Sequence, residues 1–160
     1  MTAPPIMVPT QGMASAQAAL PAPDAALVAA DVARALAEDI GSGDVTAALL
    51  PDAPDSAYLL CKQDAVIAGR PWFDATHRAL DPDVRIDWCV EEGQQVAAGT
   101  VLALLQGRNR SLVSAERTSL NFLQTLSGTA TTTARFVAAV AGTGTRILDT
   151  RKTLPGLRLA

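Results

Sequence analysis

An α+β fold is the class that this 160-residue sequence predicts, and three observations predict it. Apolar residues recur every four positions before residue 41, alternate in short runs between residues 56 and 105, and return to helical spacing after Gly107. Hydrophobic content is 49%, and the length suffices to bury one sizeable core. Near the end, apolar Ile147-Leu148 gives way to polar Asp149 through Thr153 and then to Pro155-Gly156, the pattern of a strand followed by a loop.

Residues 1–23 are rich in Pro, Ala and small polar side chains and read as a disordered tail. Asp24 caps a helix running to about Asp39, with Val28, Val32, Leu36 and Ile40 on one stripe and Gly41 as its stop. Gly41-Ser42-Gly43-Asp44 is too poor in glycine for a dinucleotide loop. It reads as a tight turn, with Asp44 or Thr46 capping the next segment. Tyr58–Cys61 and Ala65–Gly69 read as strands around a Gln63-Asp64 turn. Pro71 opens a helix with Phe73 and Leu80 on its apolar side, ending before Pro82. His77, the only histidine, has no carboxylate or cysteine cluster near it in sequence, and reads as a surface or half-buried side chain rather than a ligand or base. Val84–Val90 and Val101–Leu105 read as strands on either side of a Glu91-Glu92-Gly93 turn. Cys61 and Cys89 lie in apolar strand patterns without metal-ligand spacing and read as buried thiols, which suits a reducing cytoplasm.

After Gly107, Ser111 or Ser114 can cap a helix with Glu116 in its first turn. Leu112, Ala115, Ser119, Phe122 and Leu126 trace one stripe, while Arg117, Asn121 and Gln124 trace a polar one. Ser127-Gly128 breaks this helix. A second follows, with Ala130, Ala134, Val137 and Ala141 on one face and Phe136 and Val140 on another, so it reads as largely buried until Gly142. The Arg146 strand comes next. Arg151 and Lys152 then stand just past its carboxyl end, where α/β folds bind ligands. Arg offers a planar fork to a carboxylate or phosphate, and Lys a point charge.

Charge is unevenly spread. Residues 1–106 carry 5 basic and 14 acidic side chains, whereas residues 107–160 carry 8 basic and 2 acidic. The carboxyl-terminal third suits an anionic partner. Its only aromatics, Phe122 and Phe136, fall at helix-core spacing, which points to a small, multiply charged ligand rather than to a nucleic-acid stacking platform. No run of eighteen apolar residues predicts a membrane span, and no cation precedes Arg34 to make a secretory signal.

Ile147-Leu148-Asp149-Thr150-Arg151-Lys152-Thr153-Leu154-Pro155-Gly156-Leu157-Arg158 closely resembles the first barrel strand and loop of quinolinate phosphoribosyltransferase, the carboxylating enzyme that makes nicotinate mononucleotide. The resemblance includes Ala115-Glu116-Arg117-Thr118-Ser119-Leu120-Asn121-Phe122-Leu123-Gln124, Leu126-Ser127-Gly128, and Glu38-Asp39-Ile40-Gly41-Ser42-Gly43-Asp44-Val45-Thr46. These motifs keep one order across residues 24–160.

The resemblance implies a hammerhead or barrel-sandwich amino-terminal domain at 24–110, helical linkers at 111–145, and at 146–160 the first strand of an incomplete α/β barrel. It implies transfer of phosphoribose from phosphoribosyl pyrophosphate to quinolinate, with release of pyrophosphate and carbon dioxide in NAD biosynthesis, assisted by Mg2+. By the same resemblance Arg117 reaches a neighbouring subunit's site, and Thr150, Arg151 and Lys152 bind quinolinate; Arg158 lies in the motif without an assigned role. A cytoplasmic homodimer with shared active sites is implied too. A complete barrel needs about 250 residues, and the family's later His-Arg pair, second substrate lysine, magnesium carboxylates and phosphate loops have no counterpart here. The expectation is an amino-terminal piece, inactive by itself and without metal ligands or catalytic residues of its own.

Three alternatives stand beside this. A non-catalytic fragment could dimerise or pair with a partner through an unpaired strand edge. Val90 through Ala103 resembles the half-motif of biotinyl and lipoyl carriers, but a carrier needs a lysine at a hairpin tip and only Lys62 and Lys152 are present. A paralogue acting on another pyridine is the third.

Overall fold

The computed structural model describes residues 22–150, 152–154 and 156–157; of the tail assigned to 1–23, only the last two residues fall among them. Helix α1 (Ala25–Ile40) starts where Asp24 accepts a hydrogen bond from the Ala26 amide, and it ends at Gly41, whose φ of 51° only glycine adopts without strain. Asp44, rather than Thr46, caps the single turn α2 (Val45–Ala48) by accepting from the Ala47 amide. That bond, with a second from the Ser114 hydroxyl, holds the Asp44 carboxyl below the usual range.

Strands β1 (Pro54–Leu60), β3 (Arg85–Trp88) and β5 (Val101–Arg108) form an antiparallel sheet in the order β1-β5-β3; β2 (Ala65–Val66) and β4 (Gln95–Val96) form a separate antiparallel pair. The segments on either side of Gln63-Asp64 are therefore not partners of one another. Alternation assigns a strand its faces but not its neighbour. Register places Leu59, Ala103 and Trp88 in one row and Leu105 and Ile86 in the next, both facing the core. The row between, Tyr58, Leu104 and Asp87, faces outward. The same parity corrects one cysteine: Cys61 is buried, but Cys89 follows Asp87 onto the outer side and is exposed.

Helix α3 (Arg70–Leu80) has no side-chain cap of its own. Glu92 supplies the missing acceptors, with Oε1 2.7 Å from the Gly69 amide and Oε2 3.1 Å from that of Arg70. Phe73 from α3 joins Ile67, Leu102, Leu105, Leu112 and Leu123 in the main core, while Trp72 packs with Val28 and Val32 of α1 in a second cluster. His77 is buried at 4% exposure rather than half-exposed, its ring 4.7 Å from Phe73 and its Nε2 3.2 Å from Ser119 Oγ.

Helix α4 (Asn109–Ala139) runs unbroken for 31 residues through Ser127-Gly128. Its cap position is Arg108, so Ser111 and Ser114 lie inside it and Glu116 beyond its first turn. A mid-helix glycine costs about 1 kcal/mol, but tertiary bonds offset it. Ser127 Oγ accepts from the Ala68 amide (2.9 Å) and donates to the Ala68 carbonyl, and Thr131 Oγ1 accepts from the Val66 amide (2.8 Å). Hydroxyls one helical turn apart thus satisfy the backbone beside β2. The predicted inward stripe holds, with Leu112, Ala115 and Ser119 buried and Phe122 and Leu126 half-buried. The distal end does not stay covered: Phe136 and Val137 are 60% and 51% exposed, because no described element packs on them. The strand expected from Arg146 is absent: residues 145–150 are irregular, and no described strand pairs with them.

Candidate functional site

The cationic residues singled out by sequence fall in two places. Arg117 projects from α4 beside the carboxyl end of α1, where the exposed carbonyls of the helix end favour a cation. Its Nε lies 2.5 Å from Asp39 Oδ1 in an ion pair, and its side chain is 69% exposed. The neighbouring Thr118 is buried and donates through Oγ1 to Asp39 Oδ2 at 3.0 Å. Among the described residues neither terminal nitrogen of Arg117 donates a hydrogen bond.

A cleft of about 390 Å³ lies between α1 and α4, bounded among others by Glu38, Asp39, Arg117, Asn121, Phe122 and Leu157. Two carboxylates and one guanidinium are its charged groups. A polyanion has no reason to settle inside such a cleft. The positive charge open to solvent is the 69%-exposed Arg117 side chain, with Asn121 and Gln124 exposed along the same polar stripe.

Thr150 and Lys152 are exposed on the irregular segment after α4; Arg151 and Arg158 lie outside the described residues. No hydrogen bond or ion pair among the described residues joins Thr150 or Lys152 to Arg117. Leu157, further along the same segment, does line the Arg117 cleft.

Part of the basic surplus has a structural use. Arg108 pairs with Asp52 at 2.7 Å, which holds the Asp52 carboxyl below its usual range and raises the guanidinium, and Arg110 Nε donates to the Leu50 carbonyl at 2.7 Å. With Arg117–Asp39, these contacts stitch the basic third onto the acidic remainder. Among the described residues no group of three or more His, Cys, Asp or Glu side chains could hold a metal ion. Lys62 is exposed between β1 and β2, which pair with different strands; it is not at the tip of a hairpin as a carrier lysine would be. No described helix is long and apolar enough to cross a membrane.

Sequence reasoning missed Asp39 and Thr118 as working parts of this site. The Glu38-Asp39-Ile40-Gly41 run was the available signal, but nothing local indicates that Asp39 meets a helix far along the chain.

Comparison with known proteins bears on what such a site serves. Residues 44–127 match the quinolinate phosphoribosyl transferase N-terminal domain, and residues 129–160 match the C-terminal domain of the same family. A probable carboxylating nicotinate-nucleotide pyrophosphorylase of Synechocystis is 44% identical over 125 residues, covering 78% of this chain and 42% of that protein. Quinolinate phosphoribosyltransferase 1b of Nicotiana tabacum is 42% identical over 128 residues, covering 78% of this chain and 36% of its own length. The solved nicotinate-nucleotide pyrophosphorylase from Francisella tularensis superposes with a TM-score of 0.82 at 39% identity, over 85% of this chain and 49% of that one. The chain thus spans less than half the length of these relatives. With the N-terminal domain matched across more than half of its residues, the chain belongs to the quinolinate phosphoribosyl transferase family.

Proposed function

We propose that this chain supplies the amino-terminal portion of a carboxylating quinolinate phosphoribosyltransferase, which joins quinolinate to phosphoribosyl pyrophosphate and releases pyrophosphate and carbon dioxide. The observation that carries the reading is an exposed arginine on the family-matched helix, tethered at one edge and open at the other. In this reading residues 24–110 are the hammerhead sandwich, 111–145 the linker and 146–160 the entry to an α/β barrel. Arg117 reaches the site of a second subunit in a homodimer, and Thr150, Arg151 and Lys152 hold the pyridine dicarboxylate.

The chemistry suits such a site. Departure of pyrophosphate leaves an oxocarbenium-like ribose, and quinolinate brings two carboxylates to it. What this chain contributes is placed positive charge that binds and orients the acid, with no covalent nucleophile required. Magnesium, where the complete enzyme uses it, would neutralise the pyrophosphate charge.

The test is steady-state kinetics of the protein that carries this sequence. Arg117→Ala, Arg151→Ala and Lys152→Ala each remove a charged hydrogen-bond donor, so the quinolinate KM should rise about 10- to 100-fold. Unchanged kinetics in all three variants would remove the assignment.

A further inference from the structure

Arg117 is held in an unusual way for so exposed a side chain. An arginine this open to solvent ordinarily samples many rotamers, and a ligand must select one of them. Here Asp39 grips the Nε edge. The grip is itself fixed, because the second carboxylate oxygen accepts the hydroxyl of Thr118, which is 3% exposed and locked in the α1–α4 seam. Asp39 stands in the last turn of α1 and is mostly buried, with its side chain 20% exposed. With Nε the atom nearest Asp39 and the side chain 69% exposed, the terminal amino groups stay accessible, the pair that can meet both oxygens of a carboxylate end-on.

We propose that Asp39 is a positioning residue for substrate binding: anchored by Thr118, it holds Arg117 by the Nε edge and presents the two terminal nitrogens, already aligned, to a carboxylate of the pyridine dicarboxylate. This rests on the reading of Arg117 as a quinolinate-binding residue. The opposing idea is that Asp39 merely competes with the ligand, a second negative charge beside an anion site. The two ideas differ in sign. Loss of a competitor tightens binding, whereas loss of a positioner weakens it.

Two measurements decide it. In the 160-residue chain itself, the Arg117 Nε–H should give a slowly exchanging NMR resonance that Asp39→Ala abolishes and Asp39→Asn, which keeps an acceptor oxygen, partly retains. In the assay of the protein carrying this chain, Asp39→Ala should raise the quinolinate KM about tenfold, the loss of an aligned charged contact. The KM for phosphoribosyl pyrophosphate and kcat should change little, and Asp39→Asn should fall between wild type and Asp39→Ala. Adding Asp39→Ala to Arg117→Ala should cost nothing further, because the two residues act as one unit. Thr118→Val leaves the ion pair in place and loosens only its anchor, so a smaller rise in the same KM is expected even if Asp39→Ala folds poorly. A quinolinate KM that is unchanged or lowered in the Asp39 and Thr118 variants while Arg117→Ala raises it, or full additivity in the double variant, overturns the positioning role alone. An Arg117→Ala enzyme with normal quinolinate KM overturns the underlying reading as well.

Discussion

Lowering the pH from 7.5 to 5 should weaken this fold through one residue, His77. The imidazole sits in the α3–α4 seam at 4% exposure, against Phe73 and Ser119. Ser119 Oγ donates to the Glu116 carbonyl at 3.0 Å, so it is free to accept from a neutral Nε2–H. Burial lowers the His77 pKa from 6.5 to about 4. The folded value lies below the unfolded one, so between these limits the unfolded chain binds a proton that the native state refuses. Stability is complete above about pH 6.5 and falls as the pH drops, by about 1.4 kcal/mol per unit. The loss is about 2 kcal/mol at pH 5 and about 3 kcal/mol below pH 4, large against a total of about 5–15 kcal/mol. Carboxylates contribute little above about pH 5, since their reference values lie near 4, and no second histidine is present. Urea unfolding followed by fluorescence of Trp72 and Trp88 at pH 7.5, 6.5, 5.5 and 5.0 measures the effect. His77→Gln should be less stable at pH 7.5 but nearly flat across the range. A wild-type midpoint that moves no more than that of His77→Gln would refute the argument.

Other outcomes follow from the packing. Gly69→Ala should cost about 2 kcal/mol, because φ is +105° and the added Cβ would lie 2.9 Å from Leu126 Cδ1 and 3.4 Å from Leu123 Cα; thermal melting checks it. Asp31→Ala should cost about 1–3 kcal/mol by leaving the buried Trp72 Nε1 without its 3.1 Å acceptor and freeing Arg34; urea melts and a shifted Trp72 emission would report it.

What the sequence made legible is what is encoded locally. The Asp24 cap, the four-residue period of α1 and the Gly41 stop lie within a few residues of the features they specify, and the helix appears within one residue of the expected bounds. Partnering is not local. β1 finds β5 across four intervening elements, so a turn at Gln63-Asp64 could be inferred only as a hairpin. Likewise Ser127-Gly128 looks like a break because propensity counts the glycine and ignores the bonds from Ser127 to Ala68. The burial of His77 depends on α4 arriving against α3. At the candidate site, Arg117 and its polar stripe could be read from spacing and motif. Its grip by Asp39 could not, because that contact joins two helices separated by the whole sheet.

The continuity of α4 has a mechanical consequence. Thirty-one residues make a spar about 46 Å long, pinned along one half and, among the described residues, left uncovered at the other. Orientation is transmitted along it rigidly, as a phase angle. A single residue inserted after Gly128 would rotate Phe136 and Val137 by about 100° about the axis and advance them about 1.5 Å, while seven would almost restore their bearing. In the spar every added residue thus becomes a change of heading for all that follows.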